Sequence, residues 1–202
     1  MSLWLAADPL VLASRSAVRR TLLEAAGVPV EVQPADIDER SLETGMPPQA
    51  PAAIAALLAR QKALVVAGLR PARLVLGADQ VLALDGKMFA KPADRTAARA
   101  QLRALAGRTH ELHSAIACVR DATVLFEYAG TARLTMRAFS DRFLDAYLEA
   151  IGSAATASVG AYQIESLGVE LFERVEGDYF TVLGLPLLAA LDFLRRDGCL
   201  IR

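Results

Sequence analysis

The stretch Leu74-Val75-Leu76-Gly77-Ala78-Asp79-Gln80 constrains the fold of this chain more than any other. Its apolar run reads as a buried strand, the small residues after it as a turn, and that turn delivers a carboxylate, Asp79, at the strand's carboxyl end. In open α/β sheets, ligands bind outside the carboxyl ends of strands. Val81 to Leu84, the Asp85-Gly86 turn and Lys87 to Ala90 then read as a short hairpin, and Lys91-Pro92 follows eleven residues after Gln80. An acid and a base on adjacent strand ends suit metal and phosphate chemistry.

Around this stretch, helical and extended patterns alternate. Leu10 to Ala13 and Val28 to Gln33 read as strands, with a helix between them from Ala17 to Ala26 closed by Gly27. Pro51 to Ala67 reads as a long helix ended by Gly68, preceded by a breaker-rich loop, Thr44 to Pro51. Asp94 caps a helix to Ala106, with Gly107 as its end, and Ser140 caps one from Asp141 to Ala150. His110 to Arg120 and Thr123 to Arg137 pattern as a long antiparallel pair turning at Arg120-Asp121. Leu167 to Glu176 reads as another strand region and Pro186 to Arg196 as a final helix. The frequent hairpins predict a mixed α/β sheet flanked by helices rather than a purely parallel one.

Composition narrows the class. The chain has 202 residues, 54% of them hydrophobic, enough for one core in a single domain or in two lobes on a shared sheet. A net charge of -1 gives no global field favouring a nucleic acid polymer or an anionic membrane. Cys118 and Cys199 have no metal-ligand spacing and read as reduced thiols of a cytosolic protein. Residues 1–8 lack the basic and apolar regions of a signal peptide. Arg60 and Lys62, near the middle of the apolar stretch Ala50 to Leu69, argue against a membrane span.

Five segments carry candidate chemistry. Ser14-Arg15-Ser16-Ala17-Val18-Arg19-Arg20 sits between a strand and a helix, where free N–H groups, the dipole and guanidinium groups favour an anion. It reads equally as an N-cap with solvated arginines, and Arg19 is the stronger ligand contact, Arg15 the weaker. In Asp36-Ile37-Asp38-Glu39, alternation points the two aspartates one way and Glu39 the other, as a hard-cation site or as an acidic loop in water. Arg60 and Lys62 cannot share a helical face, so one of them projects away from the other. His110 and His113 have the wrong spacing for a paired metal site, and His110 reads as a hydrogen-bonding group in a turn. The loop Val159 to Gly168 brackets Tyr162, Gln163 and Glu165 with glycines. It reads as a flexible connector or as a base-binding loop in which Glu165 accepts the N–H pair of a guanine edge.

Taken in order, these motifs resemble the Maf family of nucleoside triphosphate pyrophosphatases. The resemblance is carried by Leu12 to Arg20, Asp38-Glu39, Gln61-Lys62-Ala63, Gly77 to Gln80, Lys91-Pro92, Gly107 to His110, Gly160-Ala161-Tyr162, Gly177-Asp178-Tyr179 and Gly184 to Leu187. It implies a cytoplasmic enzyme, often a homodimer, that needs a divalent cation (Mg2+ or Mn2+) and cleaves a nucleoside triphosphate to monophosphate and pyrophosphate. The implied fold is a single domain over residues 1–202, two-lobed and inosine-triphosphatase-like, with a cleft between the lobes. Asp79 matches the family's proton acceptor, and Ser14, Arg19, Glu39, Lys62 and Lys91 match positions at the phosphate and metal end, with Glu39 and Asp79 as metal ligands. Substrate choice in the family tracks the positions of Val18, Gln80 and Glu165. Two of the three, Gln80 and Glu165, match the subgroup acting on 7-methyl-GTP; Val18 stands where that subgroup has Trp. The resemblance therefore implies a purine or modified nucleotide, with a dTTP- or UTP-preferring enzyme and a non-catalytic regulator of cell division as alternatives.

Overall fold

The computed structural model describes residues 2–39 and 50–202. The expected loop of residues 44–49 lies outside them. Among the described residues, seven strands form one mixed sheet in the order β2-β1-β3-β5-β6-β7, with β4 also paired to β3. These are β1 (Leu10–Ala13), β2 (Val30–Val32), β3 (Leu74–Leu84), β4 (Lys87–Phe89), β5 (Thr109–Arg120), β6 (Thr123–Met136) and β7 (Phe172–Glu176). The α-helices within the described residues are α1 (Ala17–Ala25), α2 (Pro51–Leu69), α3 (Arg95–Leu105), α4 (Asp141–Ile151), α5 (Tyr179–Val182) and α6 (Leu187–Arg196). β1 runs parallel to β2 and β3, and the remaining pairs are antiparallel.

The caps expected at Asp94 and Ser140 are present, and the serine that caps the first helix is Ser16. Ser16, Asp94 and Ser140 each accept the backbone N–H three residues on, satisfying donors that a helix start leaves free. Other expectations need correction. Gly77-Ala78-Asp79 is not a turn at the end of a strand; it lies inside β3, which is continuous for 11 residues. Small residues here do not break the strand, because they are small to admit a helix. A Cβ on Gly77 would stand 2.1 Å from the Ala59 carbonyl oxygen and 2.7 Å from the Ala63 nitrogen. The backbone of α2 rests directly on β3, through Ala55, Ala59, Ala63 and Ala67, all buried and four residues apart. α2 also runs through Gly68 to Leu69. By length and composition it could cross a membrane, and here seven of its side chains are buried.

The second strand is only Val30–Val32, the region from Leu167 begins as a 3-10 turn and turns extended only at Phe172, and α5 has no counterpart in the sequence reading. His110 is in β5 rather than in a turn; its Nε2 lies 2.7 Å from the Tyr162 hydroxyl, and burial pushes its pKa down to about 4. The loop after Val159 is packed, not a loose connector. Tyr162 is buried, and a Cβ on Gly160 would meet Leu82 at 2.7 Å.

The core is divided in a way that matters for the site. Val11, Ala13 and Val75 pack with α2 on one face of the sheet. On the other face, Leu10, Leu12, Leu74, Leu76 and Ala78 pack with α1 and α6, whereas Leu82 and Leu84 pack with α3 and α4. Gln80 is the β3 residue of that face lying between these two clusters, and it belongs to neither.

The seating of α2 predicts that Gly77→Ala destabilises the fold by about 3 kcal/mol through overpacking against helix backbone. Denaturant unfolding measures this, and an unchanged midpoint would contradict the close approach.

Candidate active site

The sheet has a notch. One edge of β3 is covered by β5 from Leu74 to Ala83. Along the other edge, β1 ends where Ala13 meets Gly77, and β4 begins where Phe89 meets Leu82. Among the described residues, Ala78 to Val81 therefore have no strand beside them on that edge. Ser14 leaves β1 at this gap. The β4 register, projected two residues past Phe89, sets Lys91 across from Gln80.

Arg19 reaches into the notch from the first turns of α1. Its Nη1 donates to the Ala78 carbonyl at 2.7 Å and to Ser14 Oγ at 3.0 Å, and its Nε donates to the Gly184 carbonyl at 2.8 Å. Ser14 Oγ also accepts from the Ser16 N–H at 3.3 Å. The guanidinium is thus aimed by three acceptors from three parts of the chain. Burial lowers its pKa, and the nearby charges of Asp79 and then Glu39 oppose that shift.

On the α2 face of β3, Lys62 Nζ lies 2.5 Å from Asp79 Oδ1 and 2.7 Å from Glu39 Oε1. Asp79 is buried at 7% exposure. Desolvation raises its pKa above the ordinary value, Lys62 and Arg19 pull it back, and Glu39 adds to the rise. Arg60 turns away from this group and pairs with Glu127 on β6, so the expected split between Arg60 and Lys62 holds, with Lys62 facing the site. Glu39 is ion-paired rather than an acidic side chain standing free in water.

The structure brings Ser14, Arg19, Glu39, Lys62 and Asp79 into one connected group. Gln80 lines the opposite face of the same notch, and half-buried Val18 precedes Arg19 in the chain. Lys91 and Glu165 are exposed, and neither makes a hydrogen bond or ion pair among the described residues. Three participants escaped the sequence reading. Ser114, buried within the apolar run of β5, and the carbonyls of Thr181 and Val182 contact Gln80. The available signal for Ser114 was weak, a hydroxyl that follows His113 and opens the apolar run Ala115 to Val119; backbone carbonyls leave no signal in side-chain pattern. The surface hollow lined by Arg103, Phe139 and Leu144 contains none of these groups.

This arrangement defines a class of protein. It is a mixed α/β protein in which a buried strand carboxylate, a lysine and an anchored arginine meet at a break in the sheet, where an anionic ligand would find fixed cations. The Maf-like protein family model matches residues 9–197, and the chain belongs to that family. It is 56% identical over 200 residues to a nucleoside triphosphate pyrophosphatase of Rhodopseudomonas palustris strain CGA009, with 99% of each chain covered. It is 50% identical over 193 residues to a protein of the same name from Paramagnetospirillum magneticum strain AMB-1, covering 95% of this chain and 100% of that one. A HAM1 protein from Coxiella burnetii aligns over 63% of this chain and 72% of its own, at a TM-score of 0.41 and 17% identity.

Because burial favours the protonated form, Asp79 keeps its proton to higher pH than a free aspartate. A carboxyl NMR titration should place its pKa above 3.8. Lys62→Met removes the largest opposing charge and should move that pKa further up. A wild-type value at or below 3.8 would contradict the described burial.

Proposed function

We propose that this chain hydrolyses a nucleoside triphosphate between the α and β phosphorus, releasing a nucleoside monophosphate and pyrophosphate. The observation that carries this reading is the meeting of Arg19, Lys62 and Asp79 at the notch. The pyrophosphatases to which the chain is similar support it. A triphosphate carries about four negative charges, so fixed cations must meet it. Arg19, Lys62 and, from the end of the β3–β4 hairpin, Lys91 provide them. Because the Arg19 guanidinium is already held by three oxygens, little reorganisation is needed as charge builds on the leaving pyrophosphate. Asp79, with its raised pKa, accepts the proton of the water that attacks the α-phosphorus. Glu39 helps to hold Lys62 in place beside it.

The donor set fits a divalent cation, Mg2+ or Mn2+. Glu39 and Asp79 are two carboxylates already gathered around one positive charge, the Lys62 ammonium, at 2.7 and 2.5 Å. Among the described residues no group of three His, Cys, Asp or Glu side chains could hold a metal, and Mg2+ is commonly held by one or two carboxylates plus substrate phosphates. When bound by Glu39 and Asp79, such a cation would neutralise phosphate charge.

For the base, the reading is a purine or modified purine nucleotide such as 7-methyl-GTP. Val18, Gln80 and Glu165 are the residues that would choose it. Glu165 suits the N–H pair of a guanine edge, and Val18 cannot stack on a cationic methylated ring as an aromatic would. The division of the core on either side of Gln80 supports two lobes with the site between them. Buried, unpaired Cys118 and Cys199 suit the reducing cytoplasm. β7 pairs with β6 only from Arg133 to Met136, and the part of β6 that no described strand covers, with exposed Val124, Leu125 and Tyr128, supports a homodimer.

The test is a panel of triphosphates with product identification at several metals. GTP and 7-methyl-GTP should exceed dTTP and UTP, with monophosphate and pyrophosphate as products. A panel led by dTTP or UTP would defeat the base assignment, and binding without turnover would favour a regulator. Asp79→Asn should lose about 10³-fold in turnover with circular dichroism unchanged. Near-full hydrolysis by that variant would remove Asp79 from the mechanism.

A further inference from the structure

An amide can present either a donor or an acceptor, and the surroundings of Gln80 decide which. Its Nε2 lies 3.0 Å from the Val182 carbonyl oxygen, 3.3 Å from that of Thr181 and 3.1 Å from Ser114 Oγ. The two carbonyls can only accept. Ser114 Oγ gives its own proton to the Thr181 carbonyl at 2.7 Å, so it too can only accept from Gln80. All three neighbours require a donor. The flipped amide would set Oε1 against three acceptors, so the NH2 group faces inward and Oε1 is left for the site. A Cβ built on Gly184 would lie 3.4 Å from Gln80 Oε1 and 3.4 Å from Arg19 Nη2, which puts that oxygen on the Arg19 side of the notch.

Ser114 is built for this task. It is fully buried and stands directly across from Gln80 in the β3–β5 register. On its other side it pairs with Gly130 of β6. A Cβ there would press on Thr181 Oγ1 at 2.9 Å, so the missing side chain lets α5 bring its carbonyls down onto Gln80. Asp178 fixes the start of α5 by accepting from the Thr181 N–H at 2.8 Å and the Thr181 hydroxyl at 2.9 Å.

Resting on the pyrophosphatase reading, we propose that Ser114 is a positioning residue. It locks the Gln80 amide so that the site shows the nucleotide an acceptor only, and thereby selects a base that leads with an N–H donor. A base meeting Gln80 with a lone pair leaves both acceptors unpaired and is rejected.

Two measurements test this. In the wild-type protein, the Gln80 side-chain NH2 protons, assigned by their loss in Gln80→Glu, should exchange with solvent much more slowly than those of free glutamine. Exchange at the free rate would overturn the proposal. In kinetics, Ser114→Ala should reduce the kcat/KM ratio of the best over the worst triphosphate about five- to tenfold. The loss should fall on KM more than on kcat, and Ser114→Thr, which keeps the hydroxyl, should recover it. Gly130→Ala, which pushes the same carbonyls away by a different route, should lower the ratio in the same direction. An unchanged ratio in Ser114→Ala and Gly130→Ala, or equal losses on every triphosphate, would overturn the proposal. If the wild-type protein hydrolyses no triphosphate, the pyrophosphatase reading fails, and the exchange measurement still decides whether the Gln80 amide is locked.

Discussion

The contact between the α2 backbone and Gly77 underlies the rest of the structure. With the Ala59 carbonyl and the Ala63 nitrogen where a Cβ would sit, helix and strand approach as closely as backbones can. That approach places Lys62, one turn along from Ala59, within 2.5 Å of Asp79, two residues along from Gly77. A larger residue at position 77, or larger ones in the alanine row of α2, would lift the helix and separate the pair. The site's electrostatics are therefore a consequence of core packing.

The same contact explains how a carboxylate can stay buried. Desolvation alone would drive Asp79 toward its neutral form. Lys62 and Arg19 oppose this from two sides, and Glu39 shares Lys62 with it. The result is a buried carboxyl group whose proton affinity is raised by desolvation and held back by two cations. Polarity elsewhere in the notch follows one pattern. Gln80, Ser114 and Thr181 form a hydrogen-bonded seam between two apolar clusters, and nearly every polar atom in it meets a partner of the opposite kind.

Much of the local structure was legible. The caps at Ser16, Asp94 and Ser140, the Asp85-Gly86 hairpin and the long β5–β6 pair all follow from short-range rules. The inability of Arg60 and Lys62 to share a helical face was also readable, and the structure resolves it as one surface ion pair and one site residue. What failed was the meaning of smallness. Gly77-Ala78 looks like a turn because small residues usually mark turns. Here they mark a helix lying across the strand, a fact held in residues 51–69 and not in the neighbours of Gly77. For His110 the hydrogen-bonding role was readable, but its place in β5 and its partner Tyr162, 52 residues away, were not.

By itself, the sequence determined most of the elements, several of their ends and the chemical character of the candidate residues, because capping, periodicity and turn chemistry act over a few residues. Ordered motifs also carried the family resemblance. Only the tertiary structure decided that β1 stops and β4 starts on the same edge of β3, opening the notch at Ala78 to Val81. It alone decided which way the Gln80 amide faces, because that choice belongs to carbonyl oxygens from α5 and a hydroxyl from β5. Backbone oxygens are the same in every residue, so their placement is not written in side-chain identity and emerges only when distant segments are packed together.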